Sequence, residues 1–308
     1  MGERGWPTYD DDLHYINDVL GGTAGTALTG VWLGGDAGDE LARVGADLLL
    51  AEAQDAPDGL WWTMADGYPS RMPNFSHGTA GVAASLAVTG ERLGREDLVE
   101  AATRGAQHLL TIADLDDAGF RLPLVIPPQD NREPFSYGWC HGPLATSQLF
   151  TALGLAGVTD VGGYPPDELR RRCVTSVLRS GIPQRLHPGF WDNDARCCGT
   201  AGVGDMLLDV AQGTDDPAYA GELVAAATVM GDAILERAIT DDAGTRWRFI
   251  EHRNDDPLLA PNTSWMQGAA GMSTFLLRLA RLLERGLDAP VIDRPDQFWV
   301  VRPDLRAS

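Results

Sequence analysis

Two kinds of apolar pattern alternate along this chain. Segments 23–33, 78–93, 143–155, 200–210 and 269–283 carry Ala, Leu, Val and Gly on all sides, the pattern of helices buried all round. Between them, segments 39–54, 96–113, 167–179 and 217–238 repeat Leu, Val and Ala at helical spacing and gather charge on the other face. The alternation predicts an all-helical fold in which amphipathic outer helices cover apolar inner ones. Linkers with a glycine and often an aromatic follow the outer segments: Gly59-Leu60-Trp61-Trp62, Gly119-Phe120, Gly189-Phe190-Trp191 and Gly244-Thr245-Arg246-Trp247. Turn-forming composition there returns the chain to the next inner helix.

Each inner segment opens on a short phrase, G-x-x-G or a near copy. The copies begin at Gly22, Gly78, Gly142, Gly199 and Gly268, spaced by 56, 64, 57 and 69 residues. A period of this size marks repeated helix pairs. About five pairs are countable, and inner and outer helices alternating in this way predict an α/α toroid with the phrases gathered at one mouth. No Pro/Ser-rich linker or charge block divides the chain, so residues 1–308 read as one domain with a motif core of about 20–285.

The chain has 24 Lys plus Arg against 44 Asp plus Glu, a formal net charge of −20. Such a field repels nucleic-acid backbones and anionic lipid surfaces, so neither is an expected partner. No run of 18 apolar residues is present, which predicts no membrane span. The opening MGERGWPTYDDDLHY lacks the apolar stretch of a secretory signal. With four cysteines and no export signal, the expected setting is a reducing cytoplasm, where thiols serve metals or catalysis.

Three of the four cysteines sit in the repeated phrases: Cys140 in Trp139-Cys140-His141-Gly142, and Cys197 and Cys198 just before Gly199. Three thiolates with an open fourth position describe a zinc site that can accept water or an incoming ligand. Three other readings stand beside it: a vicinal Cys197–Cys198 disulfide, a purely structural metal, and ordinary buried thiols. Cys173, inside the outer segment ELRRRCVTSVL, reads as a core residue.

Taken together, Trp139-Cys140-His141-Gly142, Cys197-Cys198-Gly199-Thr200-Ala201-Gly202, Ser76-His77-Gly78-Thr79-Ala80-Gly81 and Met266-Gln267-Gly268-Ala269-Ala270-Gly271 resemble the signature of the lanthionine synthetase C-like family. The resemblance implies an α/α toroid with zinc at one mouth. It implies Cys140, Cys197 and Cys198 as the zinc ligands, an all-cysteine variant, and His77 as the catalytic histidine. Two departures stand out: Pro143-Leu144-Ala145 replaces the usual Pro-Gly or Ala-Gly continuation, and about five helix pairs are countable where the family's toroid has seven.

The implied chemistry is addition of a cysteine thiol to a dehydroalanine or dehydrobutyrine in a peptide. Zinc would lower the thiol's pKa, and His77 or His141 would return a proton to the α-carbon. Alternatives are the joining of a small thiol such as glutathione to dehydroamino acids in a protein, and a zinc-bearing scaffold without catalysis. Asp192, Asp194 and the Glu251-His252-Arg253 cluster are candidates for loop ordering or for additional acid–base roles. His14, His108, His187 and His252 lie outside the repeated phrases and read as structural or exposed.

Overall fold

The computed structural model describes residues 6–7, 15–65, 67–68, 71–130, 133–186, 191–251 and 254–307. The chain forms two compact units. The first comprises Met1–Ser136, Cys140–Ser176 and Arg294–Trp299; the second comprises Tyr137–Trp139, Val177–Asp293 and Val300–Ser308.

In the first unit, α1 (Thr23–Leu33), α3 (Thr79–Leu93) and α5 (Pro143–Leu155) are the inner helices, and α3 packs against both of the others. Every residue of α3 from Thr79 to Gly90 is buried, so its composition has no polar face. α2 (Gly35–Ala51) covers α1, and α4 (Glu96–Ile112) covers α3. α4 buries Leu98, Ala101, Ala102, Gly105, Ala106 and Leu109, a stripe at helical spacing, and leaves its acids outside. α1 and α2 meet through small residues. A Cβ on Gly30 would stand 2.6 Å from the Gly38 carbonyl oxygen and 2.7 Å from the Ala42 nitrogen, so glycine lets the two backbones touch. α6 (Pro166–Leu178) follows α5 as the next outer segment.

In the second unit, α7 (Thr200–Gln212) is the inner helix, buried along its whole length, and α8 (Pro217–Glu236) and α9 (Ala269–Arg285) pack on it. Thus nine α-helices are present among the described residues, none more than four residues from the expected boundaries. The fifth inner helix, α9, is followed among the described residues by short turns and 3₁₀ segments rather than by an outer helix. The expected five pairs are therefore four pairs and one further inner helix. α8 is long and apolar enough by length and composition to cross a membrane. Its buried Leu223, Ala227, Met230 and Ile234 form one stripe on the unit's core, and Glu222 and Asp232 are exposed.

The glycine-aromatic linkers form antiparallel two-stranded hairpins: Gln54–Ala56 with Gly59–Trp61, Asp114–Leu115 with Phe120–Arg121, and Ile239–Asp241 with Gly244–Arg246. Two of them end on a tryptophan with the same task. Trp62 Nε1 donates to the Leu49 carbonyl at 2.7 Å, and Trp247 Nε1 donates to the Ile234 carbonyl at 2.8 Å. Each indole thereby satisfies an orphan carbonyl in the last turn of the outer helix thirteen residues before it. Of the expected linkers, Gly189 and Phe190 lie outside the described residues.

Candidate functional site

The repeated phrases share one backbone design. Gly22, Gly78, Gly199 and Gly268 precede their helices with φ of −125°, −156°, −145° and −129°, ordinary extended values that any residue adopts. Space, not conformation, requires glycine. At both glycines of these four phrases, an added Cβ would collide with the carbonyl oxygen of the residue six positions earlier: Ile16 and Val19, Met72 and Phe75, Asn193 and Arg196, Asn262 and Trp265. The loop before each of these four helices folds back over the helix start. Its carbonyls accept from the first helical N–H groups: Ala24 to Asn17, Ala80 to Pro73, Ala201 to Asp194, at 3.0–3.2 Å. These phrase glycines carry no side-chain cap because the loop itself satisfies these orphan donors.

The two residues before the first glycine of each phrase carry the chemistry. They are Ser76 and His77, Cys140 and His141, Cys197 and Cys198, Met266 and Gln267. The first residue of each pair also joins its phrase to the next. Leu20 N–H donates to the Ser76 carbonyl at 3.4 Å, and Ser76 N–H donates to the Cys140 carbonyl at 3.0 Å. In the second unit, Cys197 N–H donates to the Met266 carbonyl at 2.8 Å.

Within the first unit this ladder sets His77 beside His141, with ring centroids 5.4 Å apart. It also sets His77 Nδ1 at 2.6 Å from Asp18 Oδ2. Asp18 is buried, and its other oxygen accepts from Gly21 N–H at 2.8 Å, so the carboxylate is fixed at both ends. His77 is 22% exposed, which leaves its ring open to a ligand. Sequence reasoning missed Asp18. The phrase that holds it has no reactive neighbour, and an aspartate 59 residues from a histidine carries no local signal.

Cys197 and Cys198 lie side by side, Sγ to Sγ 3.3 Å. Gly138 touches the backbone of Cys198 so closely that a Cβ would stand 2.8 Å from its Cα. Gly138 belongs to the segment Tyr137–Trp139 of the second unit, and Cys140 is the next residue. Cys140 is a buried thiol, and Cys197 and Cys198 are half-buried thiols. Within the second unit, the adjacent Cys197 and Cys198 thiols offer two soft ligands of the kind zinc prefers. Cys173 is fully buried in α6, where desolvation pushes its thiol well above the usual range. It is a core residue, as its place in an outer helix predicts.

Behind the Cys197–Cys198 turn lies a buried charge network. Arg196, next to Cys197, donates to Asp205 of α7 at 2.5 Å and stacks its guanidinium 4.9 Å from the Trp265 ring centroid. Arg278 of α9 donates to Asp205 at 2.6 Å, to Asp209 at 2.8 Å and to Gln212 at 2.8 Å. The network ties the turn to two helices.

Asp194 is a loop-ordering residue. It accepts from Arg237 at 2.6 Å and from Thr200 at 3.0 Å, and burial raises its pKa against the pull of Arg237. The Asp192 carbonyl accepts from Arg185 at 2.9 Å. His108 is structural, its Nδ1 3.0 Å from Asp58. Asp58 lies below the usual carboxylate range, held there by hydrogen bonds to Thr111 and then His108. His14, His187, His252 and Arg253 lie outside the described residues.

A ladder of G-x-x-G turns presenting cysteines and a carboxylate-paired histidine defines a class that comparison identifies. The profile of the lanthionine synthetase C-like protein family matches residues 6–285, and the chain belongs to that family. Among solved structures, nisin cyclase is similar, with a TM-score of 0.60 at 15% sequence identity. The match covers 92% of this chain and 66% of the nisin cyclase chain, and it shows a shared fold. No curated protein matches the chain by sequence.

Proposed function

We propose that the chain forms thioether bonds, adding a cysteine thiol to a dehydroalanine or dehydrobutyrine in a peptide. The observation that carries this reading is the place of Cys140, Cys197 and Cys198 just before repeated phrase glycines in a chain of this family. Those three residues would hold zinc and leave a fourth position for the substrate. Bound there, zinc supplies the acidity that makes a thiol nucleophilic near neutral pH. The similarity to a protein named a cyclase supports a peptide substrate that carries both reacting groups. The shared fold and the alternation of inner and outer helices support the toroid expected from sequence.

His77 holds the proton. As a carboxylate, Asp18 accepts from Nδ1–H, so Nε2 is the nitrogen left for the substrate. An S–Cβ bond forms as the carbon–carbon double bond opens, and the proton lost by the thiol ends on the α-carbon. His77 delivers that proton as general acid, and Asp18 steadies the charged ring before delivery. His141, with its ring beside that of His77, is the second candidate for the same step.

The test is a dehydrated peptide with one free cysteine, incubated with zinc-loaded protein. Cyclisation leaves the mass unchanged and removes a thiol that an alkylating reagent would otherwise mark. Supplying glutathione with a cysteine-free dehydropeptide tests the intermolecular alternative, which adds the thiol's mass. Background rates in both assays would overturn the reading in favour of a metal-bearing scaffold.

A further inference from the structure

Arg71 lies on the loop that delivers His77. Its backbone is fixed by an exchange with Ile126: Arg71 N–H donates to the Ile126 carbonyl at 2.8 Å, and Ile126 N–H donates back at 2.7 Å. The next residue, Met72, has its carbonyl pressed against Gly78, leaving no room for a Cβ there. Arg71 is therefore one residue away from a contact with the residue that follows His77.

The Arg71 guanidinium lies 4.6 Å from the centroid of the Trp61 ring. It is half-buried and has no ion pair or side-chain hydrogen bond among the described residues. Acids outnumber cations 44 to 24, and all the cations are arginine. Solvent-facing arginines such as Arg43, Arg92 and Arg104 each bond a carboxylate. The indole beside the guanidinium restrains it, and the guanidinium N–H donors meet no carboxylate among the described residues; such a fork can bind a carboxylate in bidentate fashion.

We propose that Arg71, backed by Trp61, binds a carboxylate of the peptide substrate. Two sources supply that group, an Asp or Glu side chain or the peptide's C-terminus. The net charge of −20 disfavours polyanions, so the group recognised is a single carboxylate on an otherwise neutral or cationic peptide. The identity of the ligand as a peptide rests on the thioether-forming reading; the unpaired guanidinium does not.

The experiment uses the zinc-loaded full chain and three fluorescent dehydropeptides of one core sequence: neutral with an amidated C-terminus, amidated with one Glu, and neutral with a free C-terminus. Anisotropy measures affinity, and product formation is followed separately. At least one carboxylate peptide should bind about 10-fold or more tightly than the neutral amide, by the strength of a charge-assisted hydrogen bond. Which peptide gains identifies the source. Arg71→Ala and Arg71→Gln should erase the preference while keeping the neutral peptide's affinity and the zinc content. Arg71→Lys should restore part of it, as a point charge without the fork. Equal affinity for all three peptides, binding of none, or a preference that survives in Arg71→Ala overturns the proposal. Preferential binding without product formation would sink the thioether reading and leave this site standing. Product formation without the preference would do the reverse.

Discussion

Asp18 Oδ2 lies 2.6 Å from His77 Nδ1, although the two residues come from different repeats, 59 positions apart. The pair makes a directional device out of a single histidine. Asp18→Asn keeps the side-chain shape but allows the amide to donate to Nδ1, which places the ring hydrogen on Nε2. Turnover of a dehydrated peptide should fall by about 10²–10⁴, with zinc content unchanged. His77→Asn should fall by a similar factor, and the double variant should be little worse than either single one. Additive losses would show that the two residues act separately.

Zinc should be present at about one per chain and depend on the phrase cysteines alone. Cys198→Ala should lose most of the metal, whereas Cys173→Ala should keep it, because Cys173 is buried in α6 away from the phrases. Metal analysis after purification without chelators reads both. Full zinc retention in Cys198→Ala would reject the ligand set.

The pH dependence of stability should carry the mark of Cys173. Its folded pKa is raised by burial, so above about pH 8.5 the unfolded chain releases a proton that the native chain keeps. Stability from this group is complete below that pH and declines as pH rises through it. Denaturant midpoints of the wild type, measured from pH 7 to pH 10, should therefore fall more steeply than those of Cys173→Ala. Identical slopes would show that the thiol ionises as easily folded as unfolded.

Two glycines should respond in opposite directions to alanine. At Gly202 a Cβ would strike the Arg196 carbonyl, beside the Cys197–Cys198 turn. Gly202→Ala should cost about 1–3 kcal/mol and weaken zinc retention. Gly221 lies exposed in α8 with nothing within 4 Å of the added Cβ. Gly221→Ala should stabilise by about 0.5–1 kcal/mol. Thermal unfolding separates the two.

Arg278→Met removes the donor shared by Asp205, Asp209 and Gln212 in the interior of the second unit. Leaving buried carboxylates short of a partner should cost about 3–5 kcal/mol, seen as a lower denaturant midpoint. Asp205 keeps Arg196, so the loss should be smaller than in Arg278→Met combined with Arg196→Met. A variant as stable as the wild type would mean that the network contributes no net stability.

The sequence by itself determined the helices, the phrases and the candidate chemistry. Apolar periodicity is a local signal, and the starts of α1, α5, α7 and α9 fall on the expected residues. Cys140, Cys197, Cys198 and His77 were legible because each occupies one of the two places just before a repeated glycine. Only the tertiary structure decided what those places mean. In four phrases the glycines are required by carbonyls six residues back that fold over the helix start, a steric fact that no φ preference announces. The linkers became hairpins because short strand pairs satisfy their own backbone, and Trp62 and Trp247 use them to close the outer helices. Asp18, Arg71 and the Arg196–Asp205–Arg278 network were invisible in the sequence. Each acts through a partner or a packing surface brought close by folding, and burial and pairing at a distance leave no periodicity to read.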